Sequence, residues 1–178
     1  MSNSKLRIIV TGLIAQHPAL GGVAWDYLQY VLGFKALGHD VYYFEDTGMS
    51  PYVPEINGLS EDPTYTSDYL ESLMAQFGLS QRWAYHFPYP EPQWFGLGES
   101  ERQEIIATTD LLLNVSGTLA RPQEYRSCKK LVYLDSDPAF TQVKLARGQD
   151  DFRALIDYHD AQFSLGETLP GNTPETGH

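Results

Sequence analysis

Residues 6–46 read LRIIVTGLIAQHPALGGVAWDYLQYVLGFKALGHDVYYFED, and this stretch decides the fold. Leu6 to Val10 is a continuous apolar, β-branched run, the pattern of a central strand covered on both faces. Gly12 and the pair Gly21-Gly22 then punctuate what reads as a loop. Ala24, Tyr27, Leu28, Val31 and Phe34 recur at three- and four-residue steps, which predicts a helix with a wide apolar face. Gly38 follows where a helix C-cap is expected, because glycine enters the left-handed region without a Cβ penalty. Val41 to Phe44 restarts as a strand that Glu45 and Asp46 close with two carboxylates. The order is half of a parallel βαβ unit, with a glycine loop at the carboxyl end of its first strand, the edge where open α/β sheets bind ligands.

The alternation continues down the chain. Residues 47–63 read as a long loop and Tyr65 to Phe77 as a helix stopped by Gly78. Trp83 to Phe87 reads as a short strand. The prolines of Pro88 to Gly98 forbid a helix and leave Trp94 and Phe95 on an irregular loop. A helix over Ser100 to Thr109, with Ser100 as N-cap and Gln103 three residues on, leads into the strand Asp110 to Val115. Pro122 sits at a first-turn position of another helix. A strand from Leu131 to Leu134 ends in Asp135-Ser136-Asp137-Pro138. Helices over Ala139 to Ala146 and Asp150 to Asp157 and a last strand, Ala161 to Leu165, complete the pattern. Strand and helix in this order predict an α/β fold, a doubly wound, mostly parallel sheet with helices on both faces.

Composition narrows the function classes. The 178 residues suit one domain with a full core or one half of a larger enzyme. Twelve basic against 23 acidic residues give a formal net charge of −11, which argues against a nucleic-acid surface built from clustered Lys and Arg. Cys128 is the single cysteine, so no internal disulfide forms and a reducing, cytoplasmic compartment is expected. Lys129 and Lys130 beside it offer a way to lower its thiol pKa, whereas a lone cysteine before a strand reads as a packed side chain. The start MSNSK lacks the apolar core of an export signal, and no run reaches the roughly 18 apolar residues of a membrane span.

Familiar catalytic and nucleotide motifs fail on spacing. After Gly12 the next glycines are Gly21 and Gly22, which breaks the G-x-G-x-x-G fingerprint, although Asp46 stands roughly where a ribose-binding acid would. A phosphate-cradling G-x-x-x-x-G-K-[ST] and a G-x-S-x-G elbow are absent, and His159 beside Asp157 and Asp160 is a weak approach to zinc spacing. Small polar and acidic residues nevertheless collect at strand ends: Asn114, Ser116 and Gly117; Asp135 and Asp137; Gly166 and Glu167. In a parallel sheet these ends share an edge with Gly21-Gly22. Capping accounts for each residue singly, and a ligand-facing edge accounts for the set.

Ile8 to Gly12, the Gly21-Gly22 pair and the junction Ala36-Leu37-Gly38-His39-Asp40-Val41 resemble the N-terminal domain of GT-B-fold glycosyltransferases. Leu111 to Gly117 (LLLNVSG), Leu134 to Gln142 (LDSDPAFTQ) and Phe163 to Glu167 (FSLGE) look like a little-characterised bacterial branch of those enzymes. The resemblance covers the chain from about Leu6 to Glu167. It implies a Rossmann-like acceptor-binding domain over 1–167, with 168–178 as a turn-rich tail or the start of an interdomain linker. It further implies a nucleotide-sugar donor, a small-molecule acceptor and a second domain or partner chain that holds most of the donor.

Two function classes follow. In the first, the chain is the acceptor half of a glycosyltransferase, inactive without its second domain. A base in this half then removes the acceptor proton; His17 is the first candidate on chemical grounds and Asp137 the second. Gly21, Gly22, Asn114, Ser116, Gly117, Asp135, Gln142 and Glu167 are the expected substrate-binding residues, with no metal and no resident cofactor. In the second class the chain is a non-enzymatic, nucleotide- or partner-binding module that uses the Trp94-Phe95 loop as its contact surface.

Overall fold

Residues 4–166 are described in the computed structural model; Glu167 and the tail expected over 168–178 lie outside them. The first unit comprises β1 (Arg7–Thr11), α1 (Gly21–Ala36) and β2 (Asp40–Glu45). A two-stranded ribbon, β3 (Tyr52–Val53) and β4 (Gly58–Leu59), precedes α2 (Thr64–Gln76), β5 (Trp83–Phe87) and β6 (Gln93–Gly96). The second half runs α3 (Glu99–Thr108), β7 (Leu111–Val115), β8 (Leu131–Asp135), α4 (Pro138–Ala146), α5 (Asp150–Asp157) and β9 (Ala161–Ser164).

Seven strands form one sheet in the order β6-β5-β2-β1-β7-β8-β9. Only β6 is antiparallel, paired with β5 from Ala84↔Gly96 to Phe87↔Gln93. The six parallel strands stand third, second, first, fourth, fifth and sixth in chain order, which is the Rossmann arrangement. Strand order therefore reverses between β1 and β7, and the crevice at their carboxyl ends is where this topology opens a site.

The side-chain period of two divides the core between the faces. Ile8, Val10, Val41, Tyr43, Leu113 and Val115 pack against Ala24, Tyr27, Leu28 and Val31 of α1 and Leu70 and Met74 of α2. Ile9, Phe44, Leu112 and Leu131 meet Ile105 and Ile106 of α3, together with Tyr125 and Cys128, on the opposite face. Farther along that face, Tyr133 joins Leu145 of α4 and Ile156 of α5. Helices on both sides are thus what the continuous apolar strands require. None of the helices among the described residues is long and apolar enough to cross a membrane.

Five local expectations change. Gly21 and Gly22 do not sit in a loop; they are the first two residues of α1. Trp94 and Phe95 belong to β6 and are half-buried, with Trp94 stacked on His86 and Phe95 on Tyr85. The prolines that forbid a helix there confine themselves to the turn before the strand. Helix α3 starts earlier than its Ser100 signal, with Gly98 as N-cap and the Glu101 carboxylate accepting the Gly98 N–H at 3.1 Å. Residues 47–63 hold the β3–β4 ribbon and a 3-10 turn, Pro54–Ile56, while Pro122 opens a 3-10 turn, Pro122–Tyr125.

The close glycine contact falls at Gly12. A Cβ there would lie 2.6 Å from Tyr27 Cγ and 2.8 Å from Tyr43 Cε2, whereas nothing lies within 4 Å of one at Gly21 or Gly22. Gly12→Ala should therefore cost about 1–3 kcal/mol by overpacking. Gly22→Ala should leave stability unchanged or raise it by up to about 1 kcal/mol, since a helical position loses an entropy-rich glycine. Thermal unfolding of the two variants checks this, and a costlier Gly22→Ala contradicts it.

Candidate functional site

The connection from β1 to α1 is held from below by a buried acid. Glu45 ends β2 on the α1 face and is fully shielded from solvent. Its Oε2 accepts the Ala15 N–H at 2.8 Å and its Oε1 the Gln16 N–H at 2.7 Å. The Tyr43 hydroxyl donates to Oε2 at 2.6 Å and itself accepts the Ile14 N–H at 3.1 Å. Gln16 then accepts the Tyr52 N–H at 2.9 Å, which ties the loop to the β3–β4 ribbon. Three consecutive backbone amides are thus fixed just before His17, which is half-buried. Burial pushes the Glu45 carboxyl up to about 7, against the lowering effect of the donors around it.

From this loop the chain enters α1 without a side-chain cap. Leu20 is the N-cap residue and makes no capping bond, the first turn holds no acid, and both glycines are exposed. The first-turn amides and the positive end of the helix dipole therefore face the sheet edge uncompensated. Nearly two turns in, Tyr27 is buried, with Ser116 facing its hydroxyl; burial pushes this phenol well above its usual value.

Beyond β7 the predicted residues separate into surface and support. Asn114 is fully buried. Its Oδ1 accepts from the Thr11 hydroxyl at 3.0 Å and the Leu119 N–H at 3.2 Å, and its Nδ2 donates to His159 Nε2 at 3.0 Å. That places Asn114 beneath the edge as a strut. Ser116 and Gly117 turn the chain at φ 58° and 66°. Ser116 hydrogen-bonds Ser136, and a Cβ on Gly117 would lie 3.0 Å from Tyr133 Cε2. Asp137 is the N-cap of α4, its Oδ1 accepting the Phe140 N–H at 3.3 Å, so the capping account describes that residue. Asp135 is buried and accepts from the Thr141 hydroxyl at 2.8 Å and the Asp137 N–H at 3.2 Å. Asp135 and Gln142 line one cavity of about 210 Å³ between β8, β9 and α4.

Ser116, Gly117, Asp135, Asp137 and Gln142 accordingly form one continuous patch at the ends of β7 and β8. Among the described residues no hydrogen bond, ion pair or ring contact links His17 to it. His17 and Asp137 follow strands separated by β7, so their strands stand about 10 Å apart at the sheet edge.

A second polar centre stands on the other side of the crevice. Asp46, which follows β2, turns toward the α3 face; its Oδ1 meets His86 Nδ1 at 2.9 Å and its Oδ2 accepts from the Tyr125 hydroxyl at 3.1 Å. Arg121 donates to Asp46 Oδ1 at 3.2 Å and pairs with Glu124. These partners hold the Asp46 carboxyl below its usual range even though burial opposes ionisation. Sequence reading missed His86 because it lies inside an apolar strand; the signal was that β5, parallel to β2, ends at the same edge.

The remaining reactive candidates are occupied or sealed. Cys128 is buried and its thiol is pushed up to about 12 by burial, which the neighbouring lysines do not reverse. His159 is buried between Asn114 and the Leu155 carbonyl, and burial lowers its pKa. No group of three or more His, Cys, Asp or Glu among the described residues could hold a metal ion. Comparison of the chain with protein-family models, curated proteins and solved structures found no match in any of the three.

A carboxyl pKa raised to about 7 means that the folded state holds a proton that the unfolded chain has lost. The Glu45 contribution to stability is therefore full below about pH 4.5 and is lost as pH rises through about 7. The shift is worth roughly 3 kcal/mol. Because His159, with its lowered pKa, acts in the opposite direction over part of this window, the informative quantity is the stability difference between wild type and Glu45→Gln. That difference should move in favour of Glu45→Gln between pH 4.5 and 7.5. Urea unfolding across this range checks it, and a pH-independent difference contradicts it.

Proposed function

We propose that the chain is the acceptor-binding half of a GT-B-type glycosyltransferase of the bacterial branch it resembles. It moves a sugar from a nucleotide-sugar donor to a small acceptor, in the cytoplasm, together with a second donor-binding domain supplied by further chain or by a partner. The observation that carries this reading is the start of α1: an uncapped, acid-free helix N-terminus with two bare glycines at the switch point of a Rossmann sheet. Backbone amides and dipole there suit an anionic group approaching from above the edge, such as the diphosphate of a nucleotide sugar. The acceptor then occupies the patch of Ser116, Gly117, Asp135 and Gln142.

His17, one residue past the amides that Glu45 fixes, takes the proton of the acceptor hydroxyl as that oxygen attacks the anomeric carbon and the diphosphate leaves. Asp137 serves as a helix cap, which leaves His17 the first candidate. Trp94 and Phe95, the contact surface of the alternative nucleotide- or partner-binding reading, are half-buried on β6 and stacked on His86 and Tyr85.

Gly22→Asp tests the anionic placement without harming the fold. A carboxylate in the first turn stabilises a helix by about 0.3–1 kcal/mol yet repels a bound diphosphate. In the protein carrying both domains, the melting temperature should hold or rise while KM for the nucleotide sugar increases at least about tenfold. His17→Ala in the same protein should lower kcat on the order of 10²–10⁴ at unchanged stability. An unchanged KM contradicts the placement of the diphosphate, and sugar transfer by residues 1–178 alone contradicts the donor assignment.

A further inference from the structure

The cavity between β8, β9 and α4 carries information about the acceptor. Its volume of about 210 Å³ falls below the roughly 300–1,000 Å³ of sites for drug-sized ligands, so it admits a group the size of one ring. Its polar lining is Asp135, Thr141, Gln142, Gln162 and Ser164, with no Lys or Arg. A carboxylate without a cation among these groups disfavours phosphate and other anions, which separates this cavity from the anionic donor.

The hydrogen-bonding inventory offers both acceptors and donors. Asp135 Oδ1 is committed to Thr141 and the Asp137 amide, while Oδ2 has only a long contact, 3.4 Å, from the Ser164 hydroxyl. Gln162 donates through Nε2 to the Ile156 carbonyl at 3.2 Å, which leaves its Oε1 open. The Gln142 amide makes no hydrogen bond among the described residues. Three open carbonyl or carboxylate oxygens stand beside the two N–H groups of Gln142 and the remaining one of Gln162, which calls for a ligand carrying several hydroxyls that both donate and accept. Tyr133, Leu145, Ile156 and Phe163 supply the apolar walls, against which the C–H faces of a saturated ring pack.

We propose that this cavity binds one neutral, polyhydroxylated ring, so that the acceptor of the transfer is a sugar or cyclitol; its naming as acceptor rests on the glycosyltransferase reading. Of the lining residues, Gln142 is half-buried on α4 and spans both hydrogen-bonding roles, which makes it the specificity residue of the cavity.

Nuclear magnetic resonance of the ¹⁵N-labelled protein tests this without turnover. The probes are methyl β-D-glucopyranoside and myo-inositol, up to about 50 mM, where a ligand of millimolar affinity fills most of the site. Both should shift the Gln142 and Gln162 side-chain amides and the backbone amides of Thr141 and Ser164. Gln142→Ala, at a helical position that tolerates alanine, should keep the melting temperature and weaken binding about tenfold. Unmoved resonances overturn the proposal, as does perturbation of the same residues by cyclohexylamine and not by the polyols. Polyol binding in a protein that transfers sugar from no nucleotide sugar would sustain the cavity's ligand class and remove the glycosyltransferase reading. Sugar transfer with an unperturbed cavity would do the reverse.

Discussion

One buried carboxylate shapes the edge on which the account depends. Glu45 ends the second strand with no access to water, and its two oxygens take the Ala15 and Gln16 amides while the Tyr43 hydroxyl bridges to Ile14. A connection of this length would otherwise leave its amides to solvent and its path open. Here the path is set, and with it the place of His17 and the point where α1 begins. The cost of burying the acid appears in its raised pKa, so the same contact that orders the loop also links that order to pH.

The neighbouring acid does the equivalent work on the other face. Alternation along the strand sends Glu45 toward α1 and Asp46 toward α3. Asp46 gathers His86, Arg121 and Tyr125, and its carbonyl accepts the Ala120 N–H at 2.9 Å, so the chain leaving β7 is drawn across the ends of β1 and β2. The two carboxylates thus bracket the switch point from below. A buried acid stripped of such partners would be strongly destabilising, which is why each is surrounded by donors. Trp94 stacks over His86, and Arg102 lies 4.4 Å from the Trp94 ring, which closes the outer side of that cluster.

Periodicity made most of the fold legible in the sequence. The runs at Leu6 to Val10, Val41 to Phe44 and Asp110 to Val115 are buried strands because apolar continuity is what two-sided cover demands, and Gly38 ends α1 at positive φ as read. The misreadings share a cause. Gly21 and Gly22 look like loop residues by composition, but the deciding fact is that nothing crowds them, while Gly12 is wedged between Tyr27 and Tyr43 from distant parts of the chain. β6 is a strand only because β5 offers it an unpaired edge. Of the site, the edge and several of its residues were visible as polar strand ends. What sequence could not separate is Asn114, an internal strut, from Gln142, an open amide, since that depends on partners from Thr11 and His159.

The central claim is that ligands enter at the carboxyl edge, between β1 and β7 and into the neighbouring cavity. A crystal structure of the protein soaked with a nucleotide sugar and a simple polyol tests it most directly. The account predicts the diphosphate against the first turn of α1, within hydrogen-bonding distance of the Gly21 or Gly22 amide, and the polyol beside Gln142. Both molecules bound at the amino edge of the sheet, or on the α2–β6 flank with the carboxyl edge empty, would contradict it.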